Sequence, residues 1–355
     1  MSLELCNNKI NRSDIKLGHQ IYLLDKSYKQ AERNIDVILS PDNNYVQHCT
    51  AVMSSILLNC DNTSYIRFHI LDNNITRKNK EKMASLKNIR PFDINYYDMS
   101  KFDCSQFPLN RGHISVATYY RLFIKEFLPE YIERALYLDC DVIVEKDLKE
   151  LWDIDLSGFL AAVAEDETSI PNLMRLKLKY SDFYFNAGVI LFNMNEIRKI
   201  DFLQECIDYY NQNKDVIELQ DQDILNGVFD GRCKKLSLRW NTASPFYISN
   251  EWQLTAPISS KYDAIYDPAI IHYTWIHKPW NPTCGHLLRN EYWKYLSYTP
   301  FKNKHIIFIT KRFLNKVKSL IFSVEKNKYR NKIVILGFKI KHKTAPSELN
   351  RVEMK

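Results

Sequence analysis

The chain of 355 residues predicts an α/β fold: a mostly parallel sheet flanked by helices, followed by a basic C-terminal extension. Three observations carry that expectation. Between Ile35 and Leu138, short apolar runs bounded by turn residues alternate with helical patterns, the order that builds strand–helix–strand crossovers. One of those runs, Arg134-Ala-Leu-Tyr-Leu, drives straight into Asp139-Cys-Asp141 and stays apolar through Val144. The hydrophobic content of 45% is enough for the core of one large domain and excludes a disordered chain.

Residues 1 to 34 are polar and weakly patterned and read as a variable lead-in. Ile35-Asp-Val-Ile-Leu39 is the first expected strand, the turn Ser40-Pro-Asp-Asn-Asn44 follows, and Tyr45 to Leu58 is helical. Ser64 to Leu71 and Phe92 to Tyr97 are the next strands, separated by a helix over Asn79 to Leu86. Ala117 to Phe127 is expected to be helical, and Ala135 to Leu138 is the strand that delivers the two aspartates. In such a sheet ligands gather beyond the carboxyl ends of the strands, so the Ser40–Asn44 turn and the aspartate pair share one rim.

Ionised carboxylates at the end of a buried strand are costly unless a cation or hydrogen bonds compensate them. Strand side chains alternate with period two, so Asp139 and Asp141 project to one side, within reach of a hard divalent cation that also holds phosphate oxygens. The spacing itself recurs at Asp153/Asp155 and Asp221/Asp223. Asp153 and Asp155 lie in a turn after a short helix, where acids are solvated or capping. Asp221 to Asp223 begins a helix in Leu-Gln-Asp-Gln-Asp-Ile-Leu-Asn226, with more polar groups than an N-terminal cap requires.

Asn186, in Tyr184-Phe-Asn-Ala-Gly188, reads alone either as a turn asparagine or as a hydrogen-bonding group for a polyhydroxylated ligand. His272 follows the apolar run Ile270-Ile271 and could complete an aspartate pair, and Lys278 offers a charge to a diphosphate. A set of two Asp and one His favours Mn²⁺ over Mg²⁺, because imidazole suits the softer ion, although Mg²⁺ remains open. There is no G-x-G-x-x-G and no G-x-x-x-x-G-K-[ST], which argues against a dinucleotide enzyme and a P-loop NTPase.

Charge divides the chain. From Phe301 to Lys355 there are 15 Lys and Arg against three acids, whereas residues 1 to 300 carry 34 against 39. Apolar residues interleave with those cations, the composition of a segment that lies on an anionic membrane surface. No nucleic-acid recognition motif accompanies the charge, so nucleic acid is not an expected partner. The eight cysteines show no C-x-x-C spacing, which fits a reducing cytoplasm, and no apolar run is long enough to cross a bilayer. The expected location is cytoplasmic, peripheral on the inner face of the cytoplasmic membrane.

In order along the chain, Ser40-Pro-Asp-Asn-Asn-Tyr45, Pro108-Leu-Asn-Arg-Gly-His-Ile-Ser115, Tyr119-Tyr-Arg121-Leu, Leu136-Tyr-Leu-Asp-Cys-Asp141, Tyr184-Phe-Asn-Ala-Gly188, Asp221-Gln-Asp-Ile-Leu-Asn226 and His272-Tyr-Thr with Lys278-Pro-Trp280 form a recognisable series. Over residues 35 to 285 the chain resembles the glycosyltransferase family 8 enzymes of bacterial lipopolysaccharide synthesis, especially the α-1,4-galactosyltransferase type. The resemblance implies a GT-A domain over 35–285, a UDP-hexose donor, a lipopolysaccharide-core or other saccharide acceptor, and retention of anomeric configuration, while the charge and apolar pattern make 286–355 the expected basic membrane-associating region. It implies metal ligation by Asp139, Asp141 and His272, and catalytic roles for Gln222 and Asp221 beneath the donor sugar. Ser40, Asp42, Asn44, Tyr45, Arg121, Cys140, Asn186, Trp275 and Lys278 are the implied donor-binding set, and His113 and Glu165 the implied acceptor contacts. Thr274-Trp275-Ile276-His277 departs from the family, where a Gly with small neighbours is common, so the indole is expected to line the acceptor side. A nucleotidyltransferase making a nucleotide sugar, or a non-catalytic membrane adaptor, are the alternatives.

Overall fold

The computed structural model describes residues 33–107, 115–249, 252–327, 330–335 and 338–343. Ten strands belong to the main unit: β1 (Arg33–Leu39), β2 (Ser64–Asp72), β3 (Asp93–Asp98), β4 (Arg134–Leu138), β5 (Val142–Val144), β6 (Ala161–Glu165), β7 (Phe185–Asn193), β8 (Cys233–Leu236), β9 (Thr242–Ala243) and β10 (Ile270–His272). Seven form one sheet in the order β3-β2-β1-β4-β7-β6-β8. All neighbours run parallel except β7, which lies antiparallel between β4 and β6. The expected strands all form, and the sheet is covered on both faces. Ile35, Val37 and Leu39 of β1 join one apolar cluster with Leu136 and Leu138, while Ile38 joins another with Ala135 and Tyr137. A strand buried on both faces reads as a near-continuous apolar run, and in β1 the one interruption, Asp36, is buried and bonded to Arg67 and His69 of β2.

One local difference has a physical cause. The stretch expected to be helical from Ala117 is a 3-10 helix over Val116–Phe123 with one α turn at Ile124–Phe127. In a 3-10 helix residues i and i+3 eclipse, which brings Thr118 and Arg121 to the same carboxylate, Asp221. The compact unit runs past residue 285 to Lys302, and the residues from Asn303 form a second unit. The helix Arg289–Leu296 packs on the helix Val46–Asn59: Ser54 Oγ donates to Tyr295 O at 2.8 Å, Asn59 Nδ2 to Tyr295 Oη at 2.7 Å, and His48 Nδ1 lies 2.8 Å from Tyr292 Oη.

The lead-in up to residue 32 lies outside the described residues, as do residues 344–355 of the extension. The second unit contains the helix Lys304–Ile321 and an antiparallel sheet of β11 (Phe322–Asn327), β12 (Arg330–Ile335) and β13 (Phe338–Lys343). On the helix Ile306, Ile307, Ile309, Phe313 and Leu314 are exposed. No helix among the described residues is long and apolar enough to cross a membrane. The seven described cysteines are free thiols.

The three aspartate pairs separate as their contexts suggest. Asp153 is ion-paired with Arg33 at 2.8 Å, and Asp155 caps its own turn through Ser157 N at 3.0 Å. Asp223 is fully buried and structural. It takes hydrogen bonds from Tyr184 Oη at 2.6 Å, Arg175 Nη2 at 2.7 Å and the Glu218 and Leu219 amides. These bonds fix the helix Asp221–Val228, whose Gly227 lies against the Tyr209 ring, so closely that an added Cβ would fall 1.9 Å from Cζ. Alanine there gains about 1 kcal/mol of helix propensity, but overpacking a filled contact costs about 1–3 kcal/mol. Gly227→Ala is therefore expected to lower the melting temperature by several degrees in calorimetry, and an unchanged or higher value would contradict this packing.

Candidate active site

The sheet ends at a cavity of about 310 Å³, within the size range of small-molecule sites. The turn after β1 supplies Ser40, Asp42 and Tyr45; the 3-10 helix supplies Thr118 and Arg121; the segment after β4 supplies Asp139, Cys140 and Asp141. Asn186 and Gly188 come from β7, Asp221 and Gln222 from the helix start, and His272, Trp275 and Lys278 from β10 and the loop beyond it. Thirteen of the expected site residues thus meet on one wall. Three do not. Asn44 is exposed and outside the lining, with its amide donating to Asp42 Oδ1 at 2.8 Å. His113 lies outside the described residues. Glu165 requires a correction: it is 1% exposed, its oxygens are occupied by the Thr255 and Ala256 amides and the Thr255 hydroxyl, and Lys235 pairs with it at 3.0 Å. A register shift between β6 and β7 at Val163 and Glu165 sets this arrangement, and it is the next acid, Asp166, that lines the cavity.

Asp139, Asp141 and His272 each place a ligand atom within 4.8 Å of the others. Strand pairing brings them together, since β5 begins directly after Asp141 and pairs antiparallel with β10, aligning Val142 with His272. A chain of hydrogen bonds fixes the imidazole tautomer. The Gly188 amide donates to Asn186 Oδ1 at 3.0 Å, so that atom is the carbonyl oxygen; Asn241 Nδ2 also donates to it at 3.0 Å, so Asn241 turns its own Oδ1 to His272 Nδ1 at 2.8 Å. Nδ1 therefore carries the proton. Nε2 carries a lone pair, yet it faces Asp141 Oδ1 at 3.2 Å and Asp139 Oδ2 at 3.8 Å. Asp141 Oδ1 is buried and receives no hydrogen bond. Three electron pairs converging without a donor are what a divalent cation satisfies, and the residues fit one. Gly188 makes the space: a Cβ there would lie 2.2 Å from His272 Cε1 and 2.9 Å from Asp139 Oδ2.

The cations around this centre are arranged to hold its acids ionised. Lys278 Nζ contacts Asp141 Oδ2 and donates to Tyr273 O at 2.5 Å. Burial would lift the Asp141 carboxyl, but the Lys278 ammonium opposes it and the carboxyl lies below the usual range. Arg121, 4% exposed, bonds Asp139 Oδ1 at 2.8 Å and Asp221 Oδ2 at 3.2 Å, and gives Nη1 to Ala187 O at 2.5 Å. It acts on the two aspartates from within the wall. Burial nevertheless pushes Asp221 up to about 6, with Arg121 opposing.

Sequence reasoning missed Asp166, Gln220 and Asn241. Asp166 Oδ2 accepts from Asn186 Nδ2 at 3.1 Å and Gln222 Nε2 at 3.3 Å, while Gln222 Oε1 accepts from the Ala187 amide at 3.0 Å. Gln220 lines the cavity with φ 54° and ψ −124°, and both polar atoms of its buried side chain lack partners. Polar positions just before the Asp221 helix carried that signal; Asn241, within Leu-Arg-Trp-Asn, gave none.

Residues 36–284 match the glycosyl transferase family 8 profile. Among curated proteins, the chain is 29% identical over 269 residues to general stress protein A of Bacillus subtilis, covering 74% of this chain and 93% of that one. It is 30% identical to a putative glycosyltransferase of Haemophilus influenzae (72% and 76% covered) and 26% identical to a lipopolysaccharide 1,2-glucosyltransferase of Escherichia coli K12 (79% and 84%). Among solved structures, the galactosyltransferase LgtC bound to donor and acceptor sugar analogs superposes with a TM-score of 0.67 at 29% identity, covering 75% of this chain and 96% of that one. The fold is the GT-A arrangement of that structure, and the match sets aside the nucleotidyltransferase and adaptor alternatives. With the acid–histidine centre at the end of its sheet, the chain belongs to glycosyl transferase family 8 and is a glycosyltransferase.

Proposed function

We propose that this enzyme is a metal-dependent, retaining hexosyltransferase that moves galactose or glucose from a UDP-sugar to a saccharide acceptor of lipopolysaccharide or lipooligosaccharide. The observation that carries the reading is the Nε2 lone pair of His272 turned toward two carboxylates, with Lys278 beside them and Asp221 and Gln222 in the same cavity. Asp139, Asp141 and His272 would hold Mn²⁺, with Mg²⁺ as the poorer substitute. When bound, the ion supplies Lewis-acid neutralisation of the charge that develops on the departing diphosphate.

The chain's own groups do the rest. Lys278 adds a positive charge on the diphosphate side, and Tyr45 offers its ring to the uracil. Arg121 orients Asp139 and Asp221 together, so the cation side and the sugar side of the cavity are positioned by one guanidinium. Gln222 is tethered at both ends of its amide, to the Ala187 N–H and to Asp166, and an amide so engaged is a poor nucleophile. This supports attack by the acceptor hydroxyl on the face the diphosphate leaves, with the diphosphate taking the proton and Asp221 stabilising the positive sugar ring. The Escherichia relative, a lipopolysaccharide 1,2-glucosyltransferase, supports the lipopolysaccharide setting, and the exposed apolar residues of the Lys304–Ile321 helix support a location on the cytoplasmic membrane surface.

Purified enzyme incubated with UDP-galactose and UDP-glucose is expected to release UDP with Mn²⁺ and to lose that activity in excess EDTA. Asp139→Asn should remain folded and inactive; metal-independent turnover would refute the reading. Asn241→Leu removes the bond that sets the His272 tautomer, and Gly188→Ala crowds the imidazole, so each is expected to weaken Mn²⁺ binding by about 10- to 100-fold in calorimetry. Deleting residues 303–355 is expected to abolish co-sedimentation with phosphatidylglycerol vesicles and leave Mn²⁺ binding intact. Undiminished sedimentation would remove the membrane role from the extension.

A further inference from the structure

Trp275 adopts a backbone conformation that bulky residues avoid, with φ at 58° in the left-handed region. Just before it the Thr274 amide closes onto His272 O at 2.9 Å, so the chain reverses immediately after the metal-site histidine. From that turn the indole Nε1–H donates to Glu167 Oε1 at 3.0 Å. Glu167 lies on the segment after β6 and Trp275 on the loop after β10, so the bond joins two stretches that border the cavity through Asp166, Thr168, Thr274 and Lys278.

The arrangement is costly. Glu167 is 3% exposed, and its Oε2 is buried without a hydrogen-bond partner. Burial, and then Asp166, push its carboxyl up to about 8. A carboxyl left in this state destabilises the fold unless its single good bond serves something else. What the bond holds is a tryptophan with 49% of its surface open, lining the cavity, beside the still more exposed Ile276. With its N–H engaged by Glu167, the indole presents an apolar ring face, the surface on which the C–H face of a pyranose packs. Asp166, Thr168 and the unpartnered Gln220 amide, all on the same cavity, offer complementary polar groups for the hydroxyls of such a ring.

We propose that Trp275 is the stacking platform for the acceptor sugar and that Glu167 is the positioning residue that holds the indole over the cavity. The inference rests on the hexosyltransferase reading and names the group that selects the acceptor. The test uses full-length enzyme with Mn²⁺ and saturating UDP-hexose, titrated separately with methyl β-galactoside, lactose and maltose, and titrated with donor at fixed acceptor. Trp275→Ala is expected to raise the acceptor KM about tenfold, and by clearly more than the donor KM. Glu167→Leu should shift the same parameter in the same direction by a smaller factor, and Glu167→Gln, which keeps an oxygen for the indole, should restore it. Circular dichroism melts establish that each variant is folded, and Trp275→Phe, which keeps a ring but loses the N–H, should fall between wild type and alanine. An acceptor KM unchanged in Trp275→Ala, or a donor KM that rises equally, overturns the platform while leaving the hexosyltransferase reading intact. A wild-type enzyme that neither binds nor cleaves any UDP-hexose overturns both.

Discussion

The structure around the cavity depends on one lone pair. His272 Nε2 faces two carboxylates because its other nitrogen is fixed as a donor to Asn241, and Asn241 is fixed in turn by Asn186 and the Gly188 amide. Each link is a backbone or buried amide with a single workable orientation, so the imidazole cannot relieve the repulsion by changing tautomer. The geometry is therefore built for a divalent ion before any ion is considered.

The same residues tie chemistry to fold. Gly188 belongs to β7, the strand that runs against its neighbours, and its carbonyl accepts the Asp139 amide at 2.9 Å while its missing side chain leaves room for His272. Asp139 continues from β4, and the Tyr273 amide bonds Asp141 O at 3.0 Å, so the two acids and the histidine share backbone contacts as well as side-chain ones. Arg121 extends this unit to Asp221, with its guanidinium 4.0 Å from the Tyr137 ring centroid. Burying an arginine requires that its donors be used, and here they are, on two carboxylates and a carbonyl. Asp139 and Asp221 therefore cannot shift independently.

How much of this was legible in the sequence follows from the range of each signal. β1, β2 and β4 declare themselves because strands buried on both faces are mostly apolar, with Asp36, Arg67 and His69 pairing among themselves in β1 and β2, and Asp139 and Asp141 stand out just beyond β4. The antiparallel insertion of β7 is a long-range pairing with no local trace. Glu165, placed at the acceptor cleft by the resemblance, is engaged by Thr255, Ala256 and Lys235 while Asp166 lines the cavity, and such partners from distant stretches of chain leave no trace in local sequence. Asn241 looks like any loop asparagine until the strand pairing of β9 with β10 brings it beside His272. Beyond residue 285, Tyr292, Trp293, Tyr295 and Leu296 are buried aromatic and aliphatic mass in a helix whose polar neighbours hide it from composition.

Charge explains why a cation must accompany the donor. Five aspartates line the cavity, Asp42, Asp139, Asp141, Asp166 and Asp221, against two permanent cations, Arg121 and Lys278, with His272 neutral in the tautomer its partners impose. Arg121 is already spent on two of the acids, which leaves Lys278 as the charge nearest a diphosphate, and Lys278 itself leans on Asp141. A cavity three charges negative repels a doubly charged nucleotide diphosphate, and in a water-poor site that repulsion is weakly screened. A divalent ion held by Asp139, Asp141 and His272 would remove most of that excess and leave the Lys278 ammonium available to a phosphate. On the proposed reading, donor and metal binding would then be linked, each raising the affinity of the other by the same factor.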